Sequence, residues 1–309
     1  AEILKEVRRY FADANVLEVD TPLLMPSGSS DPSIASFFAQ PHGGAHECLS
    51  GFLQTSPEFA MKRLLAAGSG DIYQLCHAFR AEEAGRYHLA EFTLLEWYRL
   101  GFDHHRLMDD VEALVLRILP SVSFERRSYA GLFRERLGID PHGATTDAIA
   151  DAARRCDIAL GDYRQDRAVA LDALFAHLFL RDSPGGRALF VYDFPVEHAA
   201  YARIAPGPPR VAQRFELMIG GVEIANGYYE VVDRVEQESR HADENSRRRS
   251  LGLPELDPDP LFLAALEHGL PECAGVAVGI ERLMMSLGGY PSVSSVASFD
   301  APDSSPEDS

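Results

Sequence analysis

The chain has 309 residues, of which 46% are hydrophobic and 25% are charged, and its formal net charge is -18. Such an acidic surface repels phosphodiester backbones, so broad nucleic-acid binding is disfavoured as a function. No apolar run approaches the ~18 residues of a membrane-spanning helix, and no secretory signal sequence opens the chain, so we expect no membrane partner. The apolar content suffices for one large domain or two smaller ones.

The cysteines are Cys48, Cys76, Cys156 and Cys273, which lie far apart and form no C-x-x-C pair. This spacing is typical of reduced thiols in a cytoplasmic protein, and it disfavours a disulfide framework or a zinc site. The last ten residues, 300–309, are acidic and rich in Ser and Pro. We expect a cytoplasmic protein with a disordered tail.

Hydrophobic periodicity and turn signals predict the elements in chain order. An apolar stripe at Ile3, Leu4, Val7 and Phe11 predicts an amphipathic helix. A strand follows at VLEVDTPLL, then a helix within SPEFAMKRLLAAG, then two strands at DIYQLCHAFR and EFTLLEWYR. Residues 103–182 are predicted to be mainly helical. Beyond them come a strand at RALFVYDFP, an apolar segment RFELMIGGVEIANGYYE, two helices, and a strand entering a helix at AGVAVGIERLMMSLG. Strands separated by a long helical segment predict one α+β domain built on an antiparallel sheet.

The two strands around residues 81–90 predict a polar sheet face. We predict that they form a hairpin with Arg80 opposite Phe92. The cross-strand pairs that follow from this register put five side chains on one sheet face: Gln74, Arg80, Phe92, Glu96 and Tyr98. A face with this composition is a poor packing surface and suits a polar ligand. The alternative is an exposed sheet face with a cross-strand ion pair.

A second hairpin is predicted around Gly220 and Gly221, a pair typical of a two-residue turn. Met218 would then lie opposite Glu223, and Glu216 opposite Ala225. Glu216 and Glu223 become diagonal neighbours, with Cα atoms roughly 7 Å apart. Two such carboxylates repel unless a cation lies between them, and oxygen ligands suit Mg²⁺. The alternative is a pair of solvated glutamates.

Strict alternation puts Asn226, Tyr228 and Glu230 on the face opposite Glu223. The Asn-Gly pair at 226 and 227 is a position where a β-bulge redirects a strand. We therefore predict an irregularity at 226–227 that brings Glu230 round to the same cleft.

The segment AGVAVGIER has small residues at the alternate positions Gly275, Ala277 and Gly279. A strand face without large side chains admits a flat ligand or another backbone. Arg282 follows at the start of a helix, where its guanidinium could stack on a base or pair with phosphate. The alternative use of a small face is tight packing between sheet and helix.

Together these segments resemble the second and third signature motifs of class II aminoacyl-tRNA synthetases, and VDTP at 19–22 resembles the first. LQTSPEFAMKRLL, FRAEEAGRYHLAEFTLLEWYR, VEIANGYYE and GVAVGIERL resemble the lysyl-tRNA synthetase branch. The likeness is strongest to its truncated relatives, the lysine ligases that modify elongation factor P. It extends over nearly the whole chain and is weakest at about 120–185.

The resemblance implies the class II catalytic fold, a mixed antiparallel sheet flanked by helices, over residues 1–299. Residues of about 120–185 would be a helical insertion between the second and third motifs. It also implies a homodimer. An N-terminal anticodon-binding domain, which lysyl-tRNA synthetases carry, is not expected.

The resemblance further implies ATP as co-substrate together with Mg²⁺. Arg80 and Arg282 would be catalytic, Arg80 bridging the α-phosphate and the substrate carboxylate and Arg282 closing over ATP. The implied ATP-binding residues are Arg80, Glu82, His88, Phe92, Glu223, Ile224, Gly279 and Arg282. Glu216 and Glu223 would hold Mg²⁺. The implied substrate-binding residues are Ser56, Glu58, Glu96, Tyr98, Asn226, Tyr228, Glu230 and Ala277.

The implied reaction activates a lysine-type amino acid as an aminoacyl-adenylate and transfers it to the ε-amine of a lysine on elongation factor P. Ala277 corresponds to a glycine in lysyl-tRNA synthetases, and its extra methyl group favours (R)-β-lysine over α-lysine. The acidic chain disfavours tRNA as partner. Two alternatives are a free-standing lysine-activating enzyme that charges tRNA or another carrier, and a catalytically weakened paralogue with a regulatory binding role. Ala81 and Leu89 depart from the asparagines usual in the family, which puts the strength of ATP binding in question.

Overall fold

The computed structural model describes residues 1–42, 50–81, 85–161, 166–180 and 187–299, without the side chains of residues 179 and 180. The helices are α1 Glu2–Asp13, α2 Glu58–Ala66, α3 His104–Ile118, α4 Tyr129–Leu137, α5 Thr146–Arg155, α6 Arg167–Leu180, α7 Arg234–Ser250, α8 Pro260–Gly269 and α9 Ile280–Gly288. The strands are β1 Leu17–Glu18, β2 Leu24–Met25, β3 Phe38–Ala39, β4 Gly51–Leu53, β5 Ile72–Phe79, β6 Glu91–Leu100, β7 Ser123–Ser128, β8 Arg187–Phe194, β9 Ala212–Ile219, β10 Val222–Tyr229 and β11 Cys273–Gly279. Cys48 and the predicted tail lie outside the described residues.

Eight strands form one sheet in the order β1-β5-β6-β11-β10-β9-β8-β7. The interior pairs are antiparallel, and the two edge pairs, β1 with β5 and β7 with β8, are parallel. A separate small sheet has the order β2-β4-β3. The predicted α+β class with a mixed, mainly antiparallel sheet is confirmed.

One face of the large sheet packs against α1 and α3 and forms the main hydrophobic core. Phe11 of α1 stacks on Tyr73 of β5 with ring centroids 4.2 Å apart, and it meets Trp97 of β6 edge-on at 5.3 Å. Trp97 satisfies its buried indole by donating Nε1–H to Asp110 of α3 at 3.1 Å. The other face is thereby left for the polar side chains that the two hairpins carry.

The predicted helical stretch from 103 to 182 contains a strand, β7, which sequence patterning missed. Its residues SFERRS alternate between exposed and half-buried positions. Because the half-buried positions include Arg126, the segment lacks the apolar period that marks a strand. It pairs in parallel with β8 at the edge of the sheet, where one side of a strand stays in water.

None of the helices within the described ranges is both long enough and apolar enough to cross a membrane.

Close packing explains why a glycine occupies position 227, in the middle of β10. A Cβ atom built on Gly227 would lie 2.4 Å from Cζ of Phe215 and 3.1 Å from Cβ of Val276. The Phe215 ring is fully buried, so it cannot move aside. The glycine therefore serves close packing against β9.

Gly227→Ala should lower the free energy of unfolding by about 1–3 kcal/mol, because the added methyl group overpacks a buried core. Gly143→Ala is the matched control, since a Cβ there meets nothing within 4 Å. Its effect should stay within about 0.5 kcal/mol. Urea denaturation measures both, and equal stability of the two variants would contradict this account of Gly227.

Candidate active site

A cavity of about 390 Å³ opens on the polar face of the sheet, between the start of α2 and the start of α9. Most of the predicted site residues line this cavity. They are Ser56, Glu58, Arg80, His88, Phe92, Glu96, Tyr98, Glu223, Ile224, Asn226, Tyr228, Glu230, Ala277, Gly279 and Arg282. Glu82 lies outside the described residues, and Glu216 is not part of the lining.

The β5–β6 register differs from the prediction by two residues. Phe92 lies opposite Ala78, and Glu96 lies opposite Gln74. Pairing continues past the end of β5 at Phe79, because the Arg80 N–H donates to the Ala90 carbonyl at 2.9 Å, so Arg80 meets Ala90 rather than Phe92. A slip of two leaves every residue on its predicted face, so the polar face is as expected.

Arg80 and Phe92 still meet, although they are not cross-strand partners. The Arg80 guanidinium lies over the Phe92 ring, with Cζ 5.2 Å from the ring centroid. Both side chains line the cavity, so this cation–π contact holds the Arg80 charge at the cavity wall.

The β9–β10 hairpin is confirmed at its turn and differs beyond it. Met218 lies opposite Glu223 as predicted, whereas the partner of Glu216 is Asn226 and not Ala225. Glu216 and Glu223 nevertheless share a sheet face. Glu223 lies opposite Met218, and Glu216 is two residues from Met218 along β9, so both glutamates are on the face of Met218.

The predicted irregularity exists, but its predicted position is wrong. The register shifts between Glu223 and Ala225, which makes Ile224 the inserted residue, and pairing is regular through 226 and 227. Because one inserted residue exchanges the two faces of a strand, Tyr228 and Glu230 now point the same way as Glu223. All three line the cavity.

Glu96 is the centre of a hydrogen-bond network in the floor of the cavity. The Ser56 hydroxyl donates to Glu96 Oε2 at 2.7 Å, and the Tyr98 hydroxyl donates to Oε1 at 2.7 Å. The Ser56 Oγ also accepts the backbone N–H of Glu58 at the start of α2, at 3.0 Å. Burial and the nearby charge of Glu58 raise the pKa of Glu96 to about 7.

Glu58, Glu96 and Glu230 form one end of the cavity, hereafter the acidic end. Lys62 is a buried cation beneath it, and sequence patterning missed this residue. Its Nζ lies 2.5 Å from Glu58 Oε1 and 2.6 Å from Glu230 Oε2. The side chain is 1% exposed, and its ammonium lies 5.0 Å from the centroid of the Tyr201 ring. Two signals could have found it: it follows Glu58 by four residues on a helix, and it is next to the buried Met61 on the inward side of α2.

The acidic end holds more negative than positive charge. Burial alone would lower the pKa of Lys62, but Glu230 and Glu58 raise it above its ordinary value, so the ammonium keeps its proton. One ammonium cannot offset Glu58, Glu96 and Glu230 together. Burial, with the charges of Glu58 and Glu96, raises the pKa of Glu230 to about 8 against the lowering effect of Lys62. The end therefore takes up protons near neutral pH and attracts cations.

The opposite end of the cavity is basic. Arg282 lies in the first turn of α9, where its Nε donates to the Tyr87 carbonyl at 3.0 Å and its Nη1 donates to the Glu223 carbonyl at 3.3 Å. The same Nη1 is 3.7 Å from Glu223 Oε2. With Arg80 it brings two guanidinium groups to this end, where Glu223 and Glu281 also line the cavity, and Gly279 places no side chain on the strand surface beside it.

Ala277 lies in the middle of the floor, between the two ends. Its neighbours on the adjacent strands are Glu96 of β6 and Asn226 of β10. A Cβ at the next alternate position, Gly275, would lie 2.2 Å from the Tyr98 ring and 2.6 Å from Glu230 Oε1. The strand must therefore stay small where these side chains cross it.

Glu216 lies below the cavity and forms an ion pair with Arg214, a second residue that sequence patterning missed. Arg214 Nε also donates to the Asn226 side-chain oxygen at 3.1 Å. Burial raises the pKa of Glu216 to about 8, with Arg214 opposing and Glu223 adding to the shift. The oxygen donors of Glu223, which lines the cavity, and of Glu216, on the same face, fit a hard cation such as Mg²⁺.

Lys62→Met should destabilise the protein by about 3–5 kcal/mol at pH 9, because it leaves two buried carboxylates without their cation. The loss should shrink toward pH 6. Glu230, whose pKa is already raised to about 8 and rises further without Lys62, becomes neutral there in the folded state but not in the unfolded state. Thermal denaturation from pH 6 to 9 measures this.

Lys5→Met is the control for that experiment. Lys5 pairs with Glu2 at 2.8 Å on the exposed face of α1, so its loss should change stability by no more than about 0.5 kcal/mol at any of these pH values. A loss of the same size at pH 6 and pH 9 in Lys62→Met would refute the charge balance described for the acidic end.

Comparison with known proteins identifies the family. The family of class II tRNA synthetases (D, K and N) matches residues 1–302. A protein of Vibrio atlanticus named elongation factor P–(R)-β-lysine ligase is 44% identical over 309 residues, covering 98% of this chain and 95% of its own. Proteins of the same name are 45% identical in Hamiltonella defensa, with 97% and 93% covered, and 44% identical in Vibrio cholerae, with 98% and 94% covered. The chain therefore belongs to the class II tRNA synthetase family, whose catalytic fold it has, and it is an enzyme within the group of ligases that these relatives represent.

Proposed function

We propose that this protein uses ATP to activate a lysine-type amino acid, (R)-β-lysine, as its aminoacyl-adenylate and transfers it to the ε-amine of a lysine on elongation factor P. The observation that carries the proposal is the polarity of the cavity. Glu58, Glu96 and Glu230 lie at one end, and Arg80 and Arg282 lie at the other. The relatives named for this reaction support the choice of substrate and acceptor.

The charge at the acidic end matches a diamine. Three carboxylates and the Lys62 ammonium leave two negative charges when all are ionised. A lysine-type substrate brings two ammonium groups, so it neutralises this end without leaving a buried charge unpaired. Ser56 and Tyr98 hold the Glu96 carboxylate in place, while Asn226 and Tyr228 complete the wall.

The basic end binds the groups that react. The substrate carboxylate attacks the α-phosphorus of ATP, a P–O bond forms, and pyrophosphate leaves. Arg80 neutralises the carboxylate and the α-phosphate, and Arg282 neutralises the departing phosphates, so catalysis comes from positioning and charge stabilisation. Phe92 offers its face to adenine, and Ile224, His88 and Gly279 complete the described part of the nucleotide site. Glu82, which lies outside the described residues, is assigned to ATP by the family resemblance alone.

When bound, Mg²⁺ held by Glu223 and Glu216 would supply further positive charge to the phosphates. In the second step the neutral ε-amine of the acceptor attacks the adenylate carbonyl carbon. A C–N amide bond forms, AMP leaves with the bonding electrons, and the amine gives up a proton. Ala277 narrows the floor beside the amino acid, which supports the β-amino acid as the preferred substrate.

Residues 1–299 are proposed to act as one catalytic domain, with about 120–185 as its insertion. Exposed apolar side chains cluster beside the VDTP motif and support a homodimer through that region. They are Leu17, Leu23, Leu24, Phe37 and Phe38. The free thiols of Cys76, Cys156 and Cys273 support a reducing, cytoplasmic location.

The purified protein should exchange pyrophosphate into ATP with (R)-β-lysine, more weakly with α-lysine, and should then acylate elongation factor P rather than tRNA. Arg282→Ala should reduce exchange by about 10²–10³-fold, because it removes a charge that the transition state needs. Arg154→Ala, an exposed arginine on α5 that pairs with Asp151, is the control and should retain activity.

Exchange with neither amino acid would overturn the proposal. Binding of ATP or amino acid without exchange would favour a regulatory paralogue. Efficient charging of tRNA or another carrier would favour the free-standing lysine-activating enzyme.

Ala277→Gly should shift the ratio of kcat/KM toward α-lysine by at least about tenfold, the usual effect of one methyl group in a substrate pocket. Ala274→Gly is the same change on the core face of the same strand, where Ala274 is fully buried. It should lower stability without moving the ratio. An unchanged ratio in Ala277→Gly would show that another residue selects the amino acid.

A further inference from the structure

His104, His105 and Asp193 form a group away from the cavity, hereafter the histidine cluster. Each residue offers a ligand atom, and these atoms all lie within 4.8 Å of one another. The two histidines open α3, and Asp193 lies near the end of β8. None of the three lines the cavity, and the proposed ligase reaction uses none of them.

The core of the cluster is already close to coordination geometry. His104 Nε2 lies 3.1 Å from Asp193 Oδ1, and the His104 side chain is 3% exposed. Zn–N and Zn–O bonds of about 2.0–2.2 Å in a tetrahedron separate two ligand atoms by about 3.3 Å. His104 Nδ1 is buried and has no hydrogen-bond partner within the described part of the chain. Nε2, which faces Asp193, is the ring nitrogen placed to bind a metal ion.

The backbone of β8 is distorted so that Asp193 reaches the cluster. Its φ is 58°, in the left-handed region that Asp tolerates better than most residues. The pairing with β9 shifts register between Tyr192 and Phe194, where Asp193 alone stands opposite two residues of β9. The irregular pairing and the positive φ together set the direction of the Asp193 side chain.

His105 supplies the second imidazole from the exposed side. Its ring centroid is 4.1 Å from that of His104, and the Tyr192 ring meets it edge-on at 5.1 Å. Asp103 and Asp193 counter the positive end of the α3 dipole, which by itself would disfavour a cation. The Asp193 charge also acts on His142, a third imidazole in this region.

We propose that the histidine cluster binds a transition-metal ion, Zn²⁺ in preference to Mg²⁺, and thereby ties the start of α3 to β8. Two imidazoles and one carboxylate are donors that Zn²⁺ favours, and hard Mg²⁺ does not take nitrogen ligands readily. Water completes the coordination. The ion acts as a structural link, so its removal leaves the ligase active.

The test is calorimetric titration of ZnCl₂ into untagged, chelator-treated and dialysed full-length protein at pH 7.5. Wild type should bind one ion with micromolar or tighter affinity, and His105→Ala should weaken binding by about 10–100-fold or abolish it. His105 is exposed, so this variant keeps the fold. His268→Ala, an exposed histidine on α8, is the matched control and should bind as wild type does. Equal affinity in all three proteins, or no binding by wild type, would overturn the proposal.

A second readout separates the site from binding by scattered surface histidines. Zn²⁺ should raise the Tm of wild type and of His268→Ala. It should not raise the Tm of His105→Ala or Asp193→Asn. Mg²⁺ should raise the Tm of none of the four proteins through this site. Co²⁺ in place of Zn²⁺ should give the visible absorption of a tetrahedral centre in wild type and His268→Ala, and not in His105→Ala. An equal Zn²⁺-dependent rise of Tm in His105→Ala would also overturn the proposal.

Discussion

The active site depends on the charge balance around Lys62. Its ammonium contacts Glu58 and Glu230 beneath the cavity floor, and those carboxylates with Glu96 form the acidic end. Without the ammonium, burial and the neighbouring carboxylates would raise the pKa values of Glu96 and Glu230 further. With it, the end keeps negative charge that attracts cationic groups, and the Lys62–Glu230 ion pair ties α2 to the residue that follows β10.

The second requirement is that the acidic and basic ends face each other across one floor. Strands β6, β11 and β10 lie side by side, and their polar faces carry Glu96, Ala277 and Asn226 in one row. The inserted residue at Ile224 adds Glu223 to the face that carries Glu230. A regular strand would have turned one of these glutamates into the hydrophobic core.

Much of this could be predicted from alternation alone. The β5–β6 register was wrong by two residues, yet Glu96 and Tyr98 lie on the predicted face, because side chains repeat every two residues along a strand. The position of the bulge in β10 could not be predicted from alternation. Asn226–Gly227 was a reasonable position for it, but Gly227 is a glycine because of close packing against the Phe215 ring. The inserted residue is Ile224. β7 was missed because its inward positions include Arg126, which lies over the Phe190 ring instead of pointing to water.

The sequence by itself determined the fold class, the family resemblance and which residue types could bind a nucleotide and a diamine, since these follow from local periodicity and from motifs read along the chain. Only the tertiary structure decided which charges meet. Lys62 and Glu230 are 168 positions apart by their numbers, and His104 and Asp193 are 89 apart. No local pattern links such pairs, because their contact follows from strand order and from local irregularities: the insertion at Ile224 reverses the face that Glu230 occupies, and the positive φ of Asp193 redirects its side chain.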